Sequence, residues 1–380
     1  MRKILKGIVD FAKKEVVLSI AFVCMIITCF FVPPDMEYIR YDAATSSLGY
    51  FEWKTLVALF CMLTVVAGLK NTNVFELISR KLISLFHTRR SVIYCLVYGT
   101  FFFDMIVAND MSLITFLPLT YIVLHSTGND KYLAPTFILQ TIAANMGGMI
   151  TPYGNPQNMY LYNFYEIPTL EFVKVLLIQS VAIALMLFIA GLFIKNEELK
   201  LQNTEEFVVD TKRLLVYAVL FVFVILSIFR IVPHLITLAL VVIAVLITDR
   251  TRFKYVDYAL LATFCVFFVF SGNMARITVI EEFVKGIVEN NTLLAGIVSC
   301  QFISNVPTAI FLSNFTSNWR DLLVSVNIGS LGIIISSLAS LITLKEFLKH
   351  QPKGLKKYMG LFTLVNTTFL VVLIAITLLL

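Results

Sequence analysis

Apolar residues run along the chain in stretches long enough to cross a lipid bilayer, and short polar segments separate them. A spanning helix needs about 20 mostly apolar residues. Stretches of this kind predict spans near residues 17–33, 53–69, 131–158, 171–194, 214–230, 234–249, 257–275, 323–343 and 359–380. The pattern therefore predicts an all-α polytopic membrane protein.

Two further apolar segments, 91–125 and 292–316, each contain a polar break around an asparagine. Residues 107–120 read VANDMSLITFLPLT, and residues 302–312 read FISNVPTAIFL. The arm 292–303 would form a helix of about 18 Å, whereas the hydrocarbon core is about 30 Å thick. We therefore expect 292–316 to be a re-entrant hairpin that enters the membrane and returns to the same side.

Charged residues are sparse and collect in particular loops. The chain is 59% hydrophobic and 14% charged, against about 25% charged in soluble domains, so its net charge of +6 does not indicate a nucleic-acid partner. Segments 81–90, 249–254 and 344–357 are strongly basic. Because cytoplasmic loops collect Lys and Arg, these loops and the N-terminus are predicted to be cytoplasmic. Residues 1–16 are basic and amphipathic, which favours a surface helix over a cleaved signal peptide.

The same order of features occurs twice along the chain. A span, an amphipathic segment, an Asn-containing hairpin and a Gly-rich interrupted span follow one another in each half. With the predicted loop orientation, the two halves have opposite topology, the arrangement that places a site at the bilayer midplane. The first repeat is predicted at 17–194, with hairpin 91–125 and broken helix 131–158. The second is predicted at 214–343, with hairpin 292–316 and broken helix 323–343. A cytoplasmic linker, 195–213, joins them, and a C-terminal span, 359–380, follows.

Asp110 is the residue most difficult to explain structurally. An ionised carboxylate near the bilayer centre costs about 2.5 to 3.5 kcal/mol even on a lenient scale, so we expect it to bind a cation or to hold a proton. Asp104 lies six positions earlier and is either a second functional acid or a group hydrogen-bonded within the scaffold. At a hairpin tip, unpaired N–H groups favour an anion, and amide oxygens suit a hard cation such as sodium.

These motifs, in their order along nearly the whole chain, resemble the citrate-transporter-like permeases of the ion transporter superfamily. That group includes divalent anion:sodium symporters, arsenite efflux permeases and some sodium/proton antiporters. In the dicarboxylate symporters both tips read Ser-Asn-Thr, whereas here residues 108–110 read Ala-Asn-Asp and residues 304–306 read Ser-Asn-Val. Both asparagines match, both threonines are absent, and the first tip is more similar to that of the arsenite permeases.

The resemblance implies a scaffold and a moving transport unit, elevator-type alternating access and a homodimer. We expect substrate to bind at Asn109, Asp110, Asn155, Ser304, Asn305 and Asn327. We expect the coupling cation at Asp110, Asn109, Asn145, Gly147, Thr151, Asn158 and Gly329.

The expected function is secondary active transport of small anions, carboxylate or inorganic, coupled to sodium or protons. The alternative is arsenite efflux or sodium/proton exchange in which Asp110 carries the exchanged cation. An enzyme is not expected, because the four histidines fall near span ends and no His-Glu-x-x-His pattern exists. The six cysteines lie in apolar stretches without metal or redox spacing, so no cofactor is expected beyond sodium ions. The expected location is the cell membrane.

Overall fold

A computed structural model describes residues 15–32, 50–107, 109–199 and 209–379, and the regular elements in these ranges are helices. The first part contains α1 (Val16–Phe31), α2 (Trp53–Lys70), α3 (Val74–Ser84), α4 (Arg89–Val107), α5 (Asn109–Ser126), α6 (Leu133–Gly147), α7 (Pro156–Phe164) and α8 (Thr169–Leu192). The second part contains α9 (Thr211–Ile228), α10 (His234–Asp249), α11 (Tyr258–Ala275), α12 (Thr278–Asn290), α13 (Thr292–Ile303), α14 (Asn305–Ser313), α15 (Trp319–Ile328), α16 (Leu338–His350) and α17 (Leu355–Leu378). Nearly all of the predicted surface helix 1–16 lies outside the described residues.

Eight helices in the described ranges are long and apolar enough to cross a membrane. The predicted all-α, multi-pass membrane architecture is therefore confirmed. The eight include α4, which the sequence assigned to a hairpin, and they do not include α1 or the interrupted segment 323–343. Helix α1 has 16 residues and is therefore shorter than the helices of this set.

The predicted hairpin 292–316 corresponds to two short helices that reverse direction at one residue. Helix α13 has 12 residues and α14 has 9, so their lengths are about 18 and 14 Å. Ser304 makes the reversal with φ of 72°, a left-handed conformation. Helices α4 and α5, with 19 and 18 residues, are about 28 and 27 Å long. How deeply this first pair enters the membrane stays a prediction.

Contacts between the two halves are reciprocal. By their order in the repeats, α1 corresponds to α10 and α2 corresponds to α11. Helix α1 packs on α11, and α10 packs on α2. In the same way α5 packs on α16, and α14 packs on α7. Each hairpin thus touches the second part of the other half's interrupted helix. This exchange is what two repeats related by a two-fold axis would produce, and it supports the predicted repeats, whose boundaries stay a prediction.

The start of the predicted linker 195–213 is fixed to the beginning of α4. The backbone N–H of Arg89 donates to Glu197 O at 2.8 Å, and Leu199 N–H donates to His87 O at 2.8 Å. The Arg89 guanidinium also pairs with the Glu197 carboxylate, which holds the pKa of Glu197 below its usual value. The linker therefore leaves the first half next to the open end of its hairpin.

Candidate functional site

The described residues of the two hairpin tips share one hydrogen bond. Asn109 Oδ1 accepts a hydrogen bond from Asp110 N at 2.9 Å, and Asn305 Oδ1 accepts one from Val306 N at 2.9 Å. Both asparagines are buried at the first residue of an outgoing helix, α5 or α14. Their Nδ2 groups have no hydrogen-bond partner among the described residues. Two amide donors therefore sit beside two helix N-termini, where the backbone favours negative charge.

The first interrupted helix opens between α6 and α7, as the sequence predicts. A short 3₁₀ turn, Gly148–Ile150, follows α6, and Pro156 begins α7. Asn158 Nδ2 donates to Met149 O at 2.9 Å and to Gly148 O and Thr151 O at 3.4 Å. Such carbonyls lose their helical partners where a helix opens. Asn158 therefore stabilises the break instead of offering its amide nitrogen to a ligand.

The second interrupted helix opens between α15 and α16, and a residue that the sequence analysis missed holds it. Gln301 Nε2 donates to Gly329 O at 2.9 Å and to Leu331 O at 3.0 Å. Its Oε1 accepts from Ile333 N at 3.1 Å. A lone glutamine in the apolar arm of the hairpin was the signal that could have identified it. Gly332, at φ of 111°, permits the turn that these bonds fix.

The two breaks meet in the interior of the protein. Asn327 Nδ2 donates to Asn158 Oδ1 at 2.7 Å, and Ser337 Oγ donates to Asn145 Oδ1 at 2.6 Å. Asn145, Asn158 and Asn327 are all within 1% of complete burial. The structure thus brings these predicted site residues together. The side-chain oxygens of Asn145 and Asn158 accept hydrogen bonds from Ser337 and Asn327 of the second half. Ser337 is a further member that the sequence analysis did not identify.

A cavity of about 510 Å³ opens at the first tip. Asn109 and Asp110 line it together with Tyr153 and Met159, and Ser304 and Asn305 do not. Among the described residues, the charged ones that line it are Glu15, Asp110 and Asp257, and none is Lys or Arg. Among the described residues Asp110 has no ion-pair partner within salt-bridge distance. The cavity therefore presents acidic groups to any ligand that enters beside the Asn109 tip.

Close backbone packing joins α4 to the first break. A Cβ atom added to Gly147 would lie 2.2 Å from Phe101 O. Asp104 Oδ2 accepts a hydrogen bond from Gly148 N at 2.5 Å, and Thr151 Oγ1 donates to Met105 O at 3.2 Å. Gly147 and Thr151 thus position the break against the hairpin. In the second half, Gly329 packs against Cys300.

We expect Asn327→Ala to destabilise the protein by about 1 to 3 kcal/mol, because Asn158 Oδ1 would remain buried without its donor. Thermal unfolding of the purified protein in detergent measures this loss. Asn290→Ala is the matched control: Asn290 is exposed and bonds only within its own helix, to Gly286 O at 2.7 Å. Equal destabilisation by the two substitutions would contradict a stabilising role for the contact between the breaks.

Two hairpin tips, together with interrupted helices whose breaks meet in the interior, are typical of one class, the transporters whose site lies between two halves. Residues 9–319 match the family described as Citrate transporter, CitMHS. The chain belongs to this family, and the protein is a membrane transporter. The resemblance found in the sequence is thereby confirmed. Members of a transporter family are generally not enzymes, in agreement with the expectation from the histidines.

Two relatives cover most of this chain. The uncharacterized transporter MJ0456 of Methanocaldococcus jannaschii is 33% identical over 298 residues, which are 77% of this chain and 81% of the relative. The inner membrane protein YbiR of Escherichia coli is 24% identical over 298 residues, 77% of this chain and 80% of the relative. The first agrees with a transporter and the second with a protein of the membrane. Membership of a transporter family implies a small-molecule or ion substrate and a lipid bilayer.

Proposed function

We propose that the protein is a secondary active transporter of small anions, carboxylate or inorganic, driven by a sodium or proton gradient. The matched tips carry this proposal: Asn109 and Asn305 each place an amide donor, without a partner among the described residues, at a helix N-terminus. An anion bound there accepts charge-favoured hydrogen bonds from groups already oriented. The description of the family makes citrate the first anion to test.

Asp110 determines how an anion could enter this cavity. Its carboxylate adjoins the Asn109 tip and would repel an anion, and no Lys or Arg in the described ranges lines the cavity to offset it. The anion therefore enters with a proton held on Asp110 or with a cation between the two. Transport of anion and cation together follows from this charge balance.

A second candidate is arsenite efflux or sodium/proton exchange, with Asp110 as the exchanging group. The charge of the cavity favours it, because the charged lining residues among the described part of the chain are all acidic. In this case the tips would stabilise the cavity without binding an anion.

We further propose an arrangement in the membrane. The two inverted repeats, 17–194 and 214–343, would alternate the site between the two sides by elevator motion. The N-terminus and the basic loops would be cytoplasmic, as the distribution of Lys and Arg favours. A homodimer is proposed from the resemblance.

Uptake into proteoliposomes tests the proposal. Labelled citrate, succinate, sulfate and arsenite are offered with a sodium gradient, a proton gradient or neither. We expect citrate, succinate or sulfate to accumulate above its equilibrium concentration only with a gradient. If none of these three moves while sodium or arsenite exchanges for protons, the second candidate replaces the first. Downhill flux without accumulation would indicate a channel and contradict both.

A further inference from the structure

A hydrogen bond and an ion pair join the beginning of α2 to the end of α7. The cavity at the first tip lies against the middle and the end of α2, so this contact is at the opposite end of the helix. Asn163 Nδ2 donates to Thr55 Oγ1 at 3.1 Å. Lys54 Nζ pairs with Glu166 Oε1 at 3.3 Å. The structure is thus open beside the cavity and closed where α2 begins.

The loop between α7 and α8 is held at this contact in a strained conformation. Glu166 has φ of 49°, a left-handed conformation that is unfavourable for a residue other than glycine. Arg230, which follows α9 and itself has φ of 62°, donates to Ile167 O at 3.3 Å and also to Tyr162 O. Helix α9 packs on α2. Two helices that pack on each other therefore hold one loop, and strain of this kind is common in segments that move.

A carboxyl group with a buried oxygen lies at the same end of α2. Glu52 immediately precedes α2, and its Oε1 is buried without a hydrogen-bond partner among the described residues. The neighbouring Phe51 belongs to an apolar cluster, in which ring centroids are 6.2 Å apart for Phe51 and Phe268 and 5.5 Å apart for Phe268 and Tyr160. A carboxyl group in such surroundings favours its protonated form, because that form is neutral.

One lysine serves two carboxyl groups at this contact. Burial raises the pKa of the Glu52 carboxyl to about 7, while Lys54 opposes this rise and Glu166 adds to it. When Glu52 is protonated, Lys54 pairs with Glu166 alone. When Glu52 is ionised, it repels Glu166 and places a negative charge on a buried oxygen. A proton on Glu52 therefore strengthens the contact between α2 and the loop after α7.

The other titratable side chains around Lys54 and Glu52 are a histidine and two tyrosines. His234 begins α10, which packs on α2, and its Nε2 is buried without a partner among the described residues. The hydroxyls of Tyr160 and Tyr165 both hydrogen-bond to Ser313 of α14. Tyrosine is neutral near pH 7, whereas histidine changes charge in that range. His234 is therefore the alternative to Glu52 that the experiments must exclude.

We propose that Glu52 is a regulatory proton-binding site, and that a proton bound there stabilises the closed contact between Lys54 and Glu166. Loss of the proton favours separation of the α7 end from α2, because water then reaches the carboxylate. By linkage, separation also releases the proton. With the predicted orientation this end of α2 is not cytoplasmic, so the proton comes from the outer solution. The inference rests on the proposed alternation of the site between the two sides.

Thermal unfolding between pH 5 and pH 8 is the first test. Wild type is compared with Glu52→Gln, whose side chain is neutral at every pH. Between the ordinary pKa of 4.5 and about 7, folded wild type holds a proton that the unfolded chain has lost. Its stability therefore falls as the pH rises through this window. We expect similar melting temperatures at pH 5 and a higher one for the variant at pH 8.

Two further variants control this measurement. Glu282→Gln makes the same substitution at an exposed position of α12 and should behave as wild type. His234→Gln should retain the fall in stability between pH 5 and pH 8. If His234→Gln removes the fall and Glu52→Gln does not, the histidine binds the proton and the proposal is wrong. A difference between wild type and Glu52→Gln that is the same at every pH would also overturn it.

Transport shows whether the proton is regulatory. Exchange of labelled citrate across proteoliposomes is measured with the same pH on both sides, or exchange of succinate or sulfate if one of these is the anion that moves. Between pH 6 and pH 8, the ratio of wild-type to Glu52→Gln rates should rise by up to about tenfold, the change in the ionised fraction of a group with this pKa. Final accumulation under a fixed gradient should be equal in the two proteins. If Glu52→Gln exchanges but does not accumulate, Glu52 carries the coupling proton and the regulatory assignment is wrong.

Glu166→Gln tests the connection between the proton and the closed contact. Without the charge of Glu166, Lys54 serves Glu52 alone, so the pKa of Glu52 should fall. In the Glu166→Gln background, the effect of Glu52→Gln on melting temperature should therefore appear at a lower pH than in wild type. An unchanged midpoint would show that the proton on Glu52 does not act on this contact.

The two readouts separate this site from the proposed function. If no anion moves under any condition, the proposed function fails, and the melting temperatures still decide whether Glu52 binds the proton. If a gradient drives anion uptake but wild type and Glu52→Gln have the same pH dependence, the function stands and the site fails.

Discussion

Asp110→Asn should lower coupled uptake by roughly 10- to 100-fold, the range expected for the loss of one charge-assisted contact. Asp110 lines the cavity beside the Asn109 tip, and no described ion pair neutralises it. The asparagine has the same shape but can neither hold a proton at this position nor balance a cation. Initial rates of anion uptake with and without the driving gradient measure the effect.

The folded state of this variant should be intact. A carboxylate in a membrane interior is unfavourable by several kcal/mol, so a neutral amide of equal size should not lower the melting temperature. Asp257→Asn is the matched comparison in the same cavity, because Asp257 accepts from Leu260 N at 2.9 Å and an asparagine oxygen can do the same. Equal loss of coupling in both variants would show that the total charge of the cavity, and not Asp110 itself, determines coupling.

Gly147→Ala is expected to cause the largest loss of folded protein. The added Cβ would lie 2.2 Å from Phe101 O and 2.9 Å from Phe101 C, both backbone atoms of α4. Backbone cannot rotate aside as a side chain can, so α4 and the first break must separate. Overpacking of this kind costs about 1 to 3 kcal/mol or more, and here it also displaces the hydrogen bond between Asp104 and Gly148.

The yield of monodisperse protein after size-exclusion chromatography and the melting temperature measure the effect of Gly147→Ala. Gly286→Ala is the control, because its added Cβ would meet no heavy atom within 4 Å. Gly286 lies in α12, where alanine is favoured over glycine by about 0.5 to 1 kcal/mol. The control should therefore be neutral or stabilising. A normal yield and melting temperature for Gly147→Ala would contradict the close packing of α4 on the break.

The local pattern of apolar and polar residues predicted the helical segments and the positions where a helix is interrupted. Lipid offers no hydrogen bonds to the backbone, so each long apolar stretch must be a helix. A polar break with proline and glycine marks where the helix opens. Thus the short arms 292–303 and 305–313, and the opening before Pro156, follow from residues close together in the sequence. The length of α4 was not evident, because its polar tip resembles that of the shorter hairpin.

The partner of each polar side chain was decided by tertiary structure. Asn158 and Asn327 were predicted as ligands, but they bond to each other from positions 169 residues apart. Gln301 was not identified: a lone glutamine in an apolar arm marks the position, but its contacts with Gly329, Leu331 and Ile333 depend on the fold.

The sequence by itself determined that this is an all-helical, multi-pass membrane protein with two asparagine tips and two interrupted helices. It also determined which family the protein belongs to. For Asp104 it left a functional acid and a scaffold group as equal alternatives. In the structure one carboxylate oxygen accepts from Gly148 N, and the other has no partner among the described residues. The physical reason is that helix formation in lipid depends on neighbouring residues. The satisfaction of a buried polar atom depends on whichever distant segment the fold brings within about 3 Å of it.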